Sequence, residues 1–292
     1  MSFFEAVVLG IVQGIFMFFP VSSTSHLALT QHLFIATGSE LPPPDSPEMI
    51  LFDLVVHVGT LVSIVVVFKK SLGTFLKKSW AGFNDRLRGG KDSVGKLYVR
   101  LALFGLLSVF VTGLVGFPAK AMFERIFANP LMISATLITT GILLYWTDVL
   151  PSRPLGLRLL NSKVALAVGI GQGLALMPGL SRSGTTIAFG LFAGLKRRWA
   201  AEYSFFIAIP TILGATLIQG IEVATAGGLQ EISIIAMIVG FVVSALVGIA
   251  ALYLVLQLLY KARLKFFSFY VWGLALVIIV TSLWGATWFS PV

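Results

Sequence analysis

The sequence predicts an all-α integral membrane protein: one membrane domain over residues 1–292, built as two inverted repeats, each a re-entrant helical hairpin followed by three transmembrane helices. Three observations carry that prediction. Of the 292 residues 57% are hydrophobic and only 11% charged, with mean hydropathy +0.96, whereas a soluble domain carries about 25% charge. Six apolar runs approach the roughly 20 residues that a spanning helix needs. And an apolar stretch broken by Gly, Pro and hydroxyls occurs twice. Gly10-Ile11-Val12-Gln13-Gly14 leads into Pro20-Val21-Ser22-Ser23-Thr24-Ser25-His26, and Gly169-Ile170-Gly171-Gln172-Gly173 leads into Pro178-Gly179-Leu180-Ser181-Arg182-Ser183-Gly184. Paired breaks of this kind point to a site near the bilayer midplane.

In chain order, the N-terminus lacks the basic flank and small-residue cleavage pattern of a signal peptide, and Glu5 stands where positive charge would be expected, so the chain reads as mature from Met1. The apolar runs are 50–68, 101–117, 131–146, 205–219, 232–260 and 266–284. Between the first two, residues 69–100 hold nine Lys and Arg against Asp85 and Asp92, which marks a cytoplasmic loop. Arg153, Arg158 and Lys163 mark a second cytoplasmic segment, Lys196-Arg197-Arg198 a third, and Lys261, Arg263 and Lys265 a fourth. Residues 38–47 and 222–231 contain no Lys or Arg and belong outside. Residues 3–36 must therefore enter and leave from the outer face, and residues 164–195, flanked by Lys163 and Lys196, enter and leave from the cytoplasm. Each hairpin precedes three spans, an odd number, so the second repeat (about 163–288) is inverted relative to the first (about 1–148). Irregular backbone at that depth survives only when buried in protein or lining a wet cavity, so the two Ser-rich tips should meet inside the protein.

Composition also narrows the function classes. There is no cysteine, which excludes disulfides and thiolate metal sites and leaves the redox compartment open. The formal charge of +9 would suit nucleic acid, but the aromatic residues lie in lipid-length apolar runs, and topology explains the charge better.

At the tips, Pro20 stops one helix and leaves Ser22, Ser23, Thr24, Ser25 and His26 at the start of the next, where freed N–H groups and hydroxyls bind anions. Arg182, between Ser181 and Ser183 and before Gly184, makes a second such start with a guanidinium suited to bidentate phosphate contact. Together they form a pocket for a multiply charged anion, which in a bilayer is a lipid phosphate or diphosphate. The plainer alternative for each hydroxyl is a bond to the preceding helical turn. It does not serve for Arg182, because an arginine at midplane depth costs at least roughly 2.5 kcal/mol. Asp53 and His57, at i and i+4 on one face, are either a structural pair or groups that orient the site. Gln13 and Gln172 read as hydrogen-bond donors between helices or to a ligand.

These motifs, with Phe52-Asp53, His57-Val58-Gly59-Thr60, Glu202-Tyr203-Ser204-Phe205 and Ile209-Pro210, resemble the undecaprenyl-diphosphate phosphatase family associated with bacitracin resistance, in order and spacing from Phe4 to the last span. The resemblance implies an enzyme of the bacterial inner membrane, its site toward the outer face, that removes the terminal phosphate of a C55 isoprenoid diphosphate and returns the carrier to cell-wall synthesis. It implies catalytic roles for His26, Ser23 and Arg182, and substrate contacts from Ser22, Thr24, Gln13, Ser181, Ser183, Gly184 and Gln172. It also implies Mg²⁺ or Ca²⁺ as cofactor. The expected partners are a polyprenyl diphosphate, membrane lipids and a second copy of the chain, without nucleic acid. One departure stands out: the family motif places a carboxylate four residues after Gln13, and here that position is Met17. Met17 can neither hold a hard cation nor act as a base. Two hypotheses follow, a phosphatase in which Asp53 or a water partly replaces the carboxylate, and a protein that translocates a lipid phosphate without cleaving it.

Overall fold

The structure, a computed structural model, describes residues 1–44, 46–90, 93–119, 129–225 and 233–283. Asp45, Lys91, Asp92, most of the 222–231 segment and the chain end from Trp284, all parts of the sequence reading, lie outside the described residues. Among those described the fold is all helical, and six helices are long and apolar enough to cross a membrane. Three stand in each half of the chain: α3 (Pro47–Val67), α5 (Ser93–Gly116) and α6 (Pro130–Val149), then α9 (Arg197–Thr225), α10 (Ile234–Tyr260) and α11 (Lys265–Leu283).

Each trio is preceded by two short helices, α1 (Phe3–Phe16) with α2 (Ser23–Ala36), and α7 (Ser162–Leu174) with α8 (Arg182–Phe192). The longest of these has 14 residues, about 21 Å of helix, which falls short of a 30 Å hydrocarbon core. Local chemistry sets their ends. Ser2 and Glu5 form a reciprocal capping box at the start of α1. Asn161 caps α7 by accepting from the Val164 N–H, and Ser181 caps α8 by accepting from the Gly184 N–H.

The two halves pack in a swapped manner. Gly10 and Gly14 of α1 lie against α10, where a Cβ on Gly14 would come 2.9 Å from Val247 Cβ. Gly169 and Gly173 of α7 lie against α5 in the same way, a Cβ on Gly173 falling 2.6 Å from Val115 Cβ. Small residues let membrane helices approach closely enough for dispersion and hydroxyl–carbonyl bonds to hold them. The hydroxyls are present: Ser63 donates to Ala245 O on α10, and Ser108 on α5 donates to Ala165 O, each at 2.8 Å.

Two expectations needed correction. The cytoplasmic loop expected over 69–100 is mostly a helix, α4 (Lys69–Leu87), running close to α5, with Gly82 pressed against Gly95. Its lysines hid a regular stripe of exposed Leu76, Trp80, Phe83 and Leu87 on one face, the pattern of a helix lying at a membrane interface. The run expected from Phe205 begins eight residues earlier, at Arg197, because the polar stretch before it is satisfied within the protein. Arg198 pairs with Glu202 at 3.0 Å, and the Tyr203 hydroxyl donates to Phe104 O at 2.8 Å.

The basic segments gather at one end. Arg100 donates to Arg158 O at 2.6 Å, Lys196 N–H donates to Leu155 O, and Asp148 at the end of α6 takes both Arg197 and the Lys265 N–H. At the other end the Ser39 hydroxyl donates to Glu5, joining the 38–47 segment to the start of α1.

Candidate functional site

The two hairpin tips meet. The Ser183 hydroxyl of the second donates to Phe18 O of the first at 3.3 Å, and a Cβ on Gly184 would lie 3.1 Å from Pro20 Cβ. The second tip is held by α6: Thr136 donates to Pro178 O, Thr140 donates to Gly179 O, and the Ser181 N–H donates to the Thr140 hydroxyl. Gly179 has φ +88° and leaves only 2.0 Å between an added Cβ and the Thr136 hydroxyl, so no side chain fits. The first tip holds a strained residue: Ser22 has φ +71° without being glycine. Its hydroxyl bonds to those of Thr24 (3.3 Å) and Ser25 (3.1 Å) rather than capping α2.

Between the tips is a cavity of about 170 Å³ lined by Met17, Ser22, Ser23, Thr24, Phe16 and Leu180, by His57 of α3, by Gln172, Ser181 and Arg182, and by Thr211 of α9. Of the site residues expected from sequence, Ser22, Ser23, Thr24, Ser181, Arg182, Gln172 and His57 therefore converge on one cavity. Ser183 and Gly184 stand behind it, buried, as links to the other hairpin. Gln13 is fully buried with neither amide atom bonded to protein, and is not part of the lining. Asp53 lies behind His57 and accepts from Gln31 Nε2 at 3.0 Å.

Arg182 is the anomaly of the site. Its Nη1 is buried without a hydrogen-bond partner, and its Nη2 faces the Met17 thioether at 3.4 Å. No carboxylate pairs with it among the described residues. A guanidinium held in the interior without a counter-charge is costly, and an anion in the cavity would remove that cost.

His26 and His57 differ in a way that spacing did not reveal. His26 Nδ1–H donates to Ser22 O at 2.7 Å, so its Nε2 is the acceptor, and the Tyr270 hydroxyl donates to it at 2.7 Å. Phe16, itself in the cavity wall, stacks on the His26 ring with centroids 3.9 Å apart. His26 does not line the cavity. His57 Nδ1–H donates to Asp53 O at 2.7 Å, which leaves Nε2 as the acceptor nitrogen of a ring that does line it. Thr211 is a polar lining residue that the sequence did not point to, beside apolar ones such as Ala208 and Ala215. It accepts from Gln172 Nε2 at 2.9 Å, and its only signal was the adjacent Pro210.

The lining offers hydroxyls, an amide, an imidazole and a guanidinium. Among the described residues no carboxylate lines it and no group of three His, Cys, Asp or Glu side chains could hold a metal. That donor set does not fit Mg²⁺ or Ca²⁺, which take oxygen ligands that include carboxylates.

A family model described as Bacitracin resistance protein BacA matches residues 6–277. Proteins named undecaprenyl-diphosphatase are similar over almost the whole chain. That of Halorhodospira halophila is 59% identical over 280 residues, covering 96% of this chain and 98% of its own length. That of Alkalilimnicola ehrlichii is 58% identical over 282 residues, covering 94% and 95%. That of Carboxydothermus hydrogenoformans is 35% identical over 281 residues, covering 96% and 97%.

Proposed function

This chain belongs to the bacitracin resistance protein BacA family, and from that premise we propose that it hydrolyses undecaprenyl diphosphate to undecaprenyl phosphate and inorganic phosphate. The observation that carries the reading is Arg182, a buried guanidinium with no carboxylate partner among the described residues, at the junction of two Ser-rich hairpin tips. The non-hydrolytic alternative is not retained, because the relatives are named as hydrolases.

Arg182 and the Ser22, Ser23, Thr24 and Ser181 hydroxyls hold the non-bridging oxygens of the terminal phosphate. Because neither Ser23 nor Thr24 is hydrogen bonded to an imidazole, both have a binding role in this reading, with a water as the attacking oxygen. His57 Nε2 takes the proton as the water oxygen bonds to phosphorus. The bond from phosphorus to the bridging oxygen breaks, and undecaprenyl phosphate departs with its electron pair. His26 positions Ser22 through its carbonyl and so holds the strained turn. No step is routed through a divalent cation.

Further parts of the reading go with this proposal. The two halves are inverted repeats, supported by the swapped packing of α1 on α10 and α7 on α5. The protein sits in the bacterial plasma membrane with its basic end in the cytoplasm, and it pairs with a second copy of itself. The site opens toward the outer face, a reading supported by the lining residues Thr211 and Ala215, which lie about 21 and 27 Å along α9 from Arg197 at the basic end. The test is phosphate release from a C55 or shorter isoprenoid diphosphate by purified protein in detergent. Release by wild type and its loss in Arg182→Lys and His57→Gln supports the reading, and no release by wild type overturns it.

A further inference from the structure

Away from the hairpin tips, α4, α5 and α9 enclose a groove of about 580 Å³ whose walls are largely apolar, among them Phe75, Leu101, Phe206 and Pro210. Its one acid, Glu202, is already paired with Arg198. At the basic end the groove runs into a basin of about 1100 Å³, and Tyr98, Leu157 and Trp199 line both. Lys78, Lys96, Arg100, Arg158 and Lys196 line the basin, with no carboxylate among its described residues. Five cations around one wet space repel each other, and the positive-inside tendency requires them only to be at this end, not to converge. Aromatic side chains mark the junction, where Lys78 Nζ lies 5.2 Å from the Tyr98 ring centroid and the Arg198 guanidinium 5.0 Å from that of Trp199.

An apolar slot that opens into a cationic basin past amphipathic rings matches an amphiphile with an anionic head. We propose that this is a binding site for an anionic glycerophospholipid of the surrounding bilayer, with its phosphate in the basin and an acyl chain in the groove. Charge complementarity selects that occupant: basic pockets between membrane helices recognise anionic lipid heads, and a zwitterionic head would bring a second cation into the basin. The site shares α9 with the central cavity but none of its lining residues, so it does not depend on the assigned reaction.

Native mass spectrometry of the full-length protein in detergent, titrated with dioleoyl phosphatidylglycerol or dioleoyl phosphatidylcholine, tests this. Wild type should retain phosphatidylglycerol in preference. The triple variant Lys78→Gln, Lys96→Gln, Lys196→Gln should weaken that retention by on the order of a hundredfold. Gly105→Leu should abolish it with every cation in place, because an added Cβ there meets only Ile207 Cγ2, at 3.9 Å, and the side chain grows into the groove. This second variant keeps the test alive if the triple variant does not fold, since leucine is the better helix former. Equal retention of the two lipids overturns the proposal, as does unchanged retention in Gly105→Leu. Preference for farnesyl phosphate over phosphatidylglycerol also overturns it, since that would assign the groove to the reaction's own lipid.

Discussion

At the residue scale, the chemistry turns on a cation and two imidazoles. Arg182→Lys keeps the charge but replaces a planar fork by a point donor, so diphosphate affinity should fall by tenfold or more, read by titration calorimetry. Equal affinity would remove Arg182 from the binding role. His57→Gln should lower kcat by roughly 10²-fold or more with little change in KM. It should also abolish the acid limb of the pH–rate profile, because a base works only when neutral and its activity falls as falling pH protonates it. His26→Ala should leave that limb in place while weakening binding through the Ser22 turn, and the opposite ranking of the two would return the base to His26. Met17 stands 3.4 Å from Arg182 Nη2. In Met17→Glu the new carboxylate should pair with Arg182, raise KM in chelator, and create or strengthen a Mg²⁺ dependence, measured as phosphate release across a metal titration beside wild type. The histidine distinction was not legible in sequence, because the partner that occupies His26 is Tyr270, 244 positions along the chain. The arginine was legible, since the cost of a guanidinium in an apolar segment needs no coordinates to recognise.

At the element scale, the short helices exist because Pro20 and the Pro178-Gly179 pair end them halfway through the membrane, and both were visible in the sequence. The helical character of α4 was not, because nine basic residues between two spans read first as topology and only second as periodicity. The glycine seams give a paired prediction. Gly173→Ala forces a Cβ to 2.6 Å from Val115 Cβ, and should destabilise by about 1–3 kcal/mol in thermal unfolding. Gly113→Ala, on α5 with nothing within 4 Å of the added atom, should be neutral or stabilise by about 1 kcal/mol. If the two behave alike, the seam between α5 and α7 is looser than its geometry states.

At the scale of the whole molecule, bonds between chain segments far apart in sequence bring Arg100, Arg158, Lys196 and Lys265 to one end, and Glu5 with Ser39 to the other. Charge counting anticipated that division without coordinates. In a strain carrying the protein, Glu40→Cys should react with an impermeant maleimide in intact cells and Lys261→Cys only after lysis. The reverse pattern would turn the molecule over in the membrane and move the entrance of the cavity with it.

The meeting of the tips has a thermodynamic side. Two helices start at the cavity wall, α2 and α8, and each presents the positive end of its dipole to the space that Arg182 also faces. With nothing bound, like-signed ends from the two halves of the chain confront each other at the centre of the protein. A phosphate there is a keystone as well as a substrate, because it turns that repulsion into attraction across the joint between the halves. A non-hydrolysable bisphosphonate at a hundredfold excess over its Kd should therefore raise the unfolding free energy by about 2.7 kcal/mol, and the gain should vanish in Arg182→Ala while the empty variant melts no lower than the empty wild type.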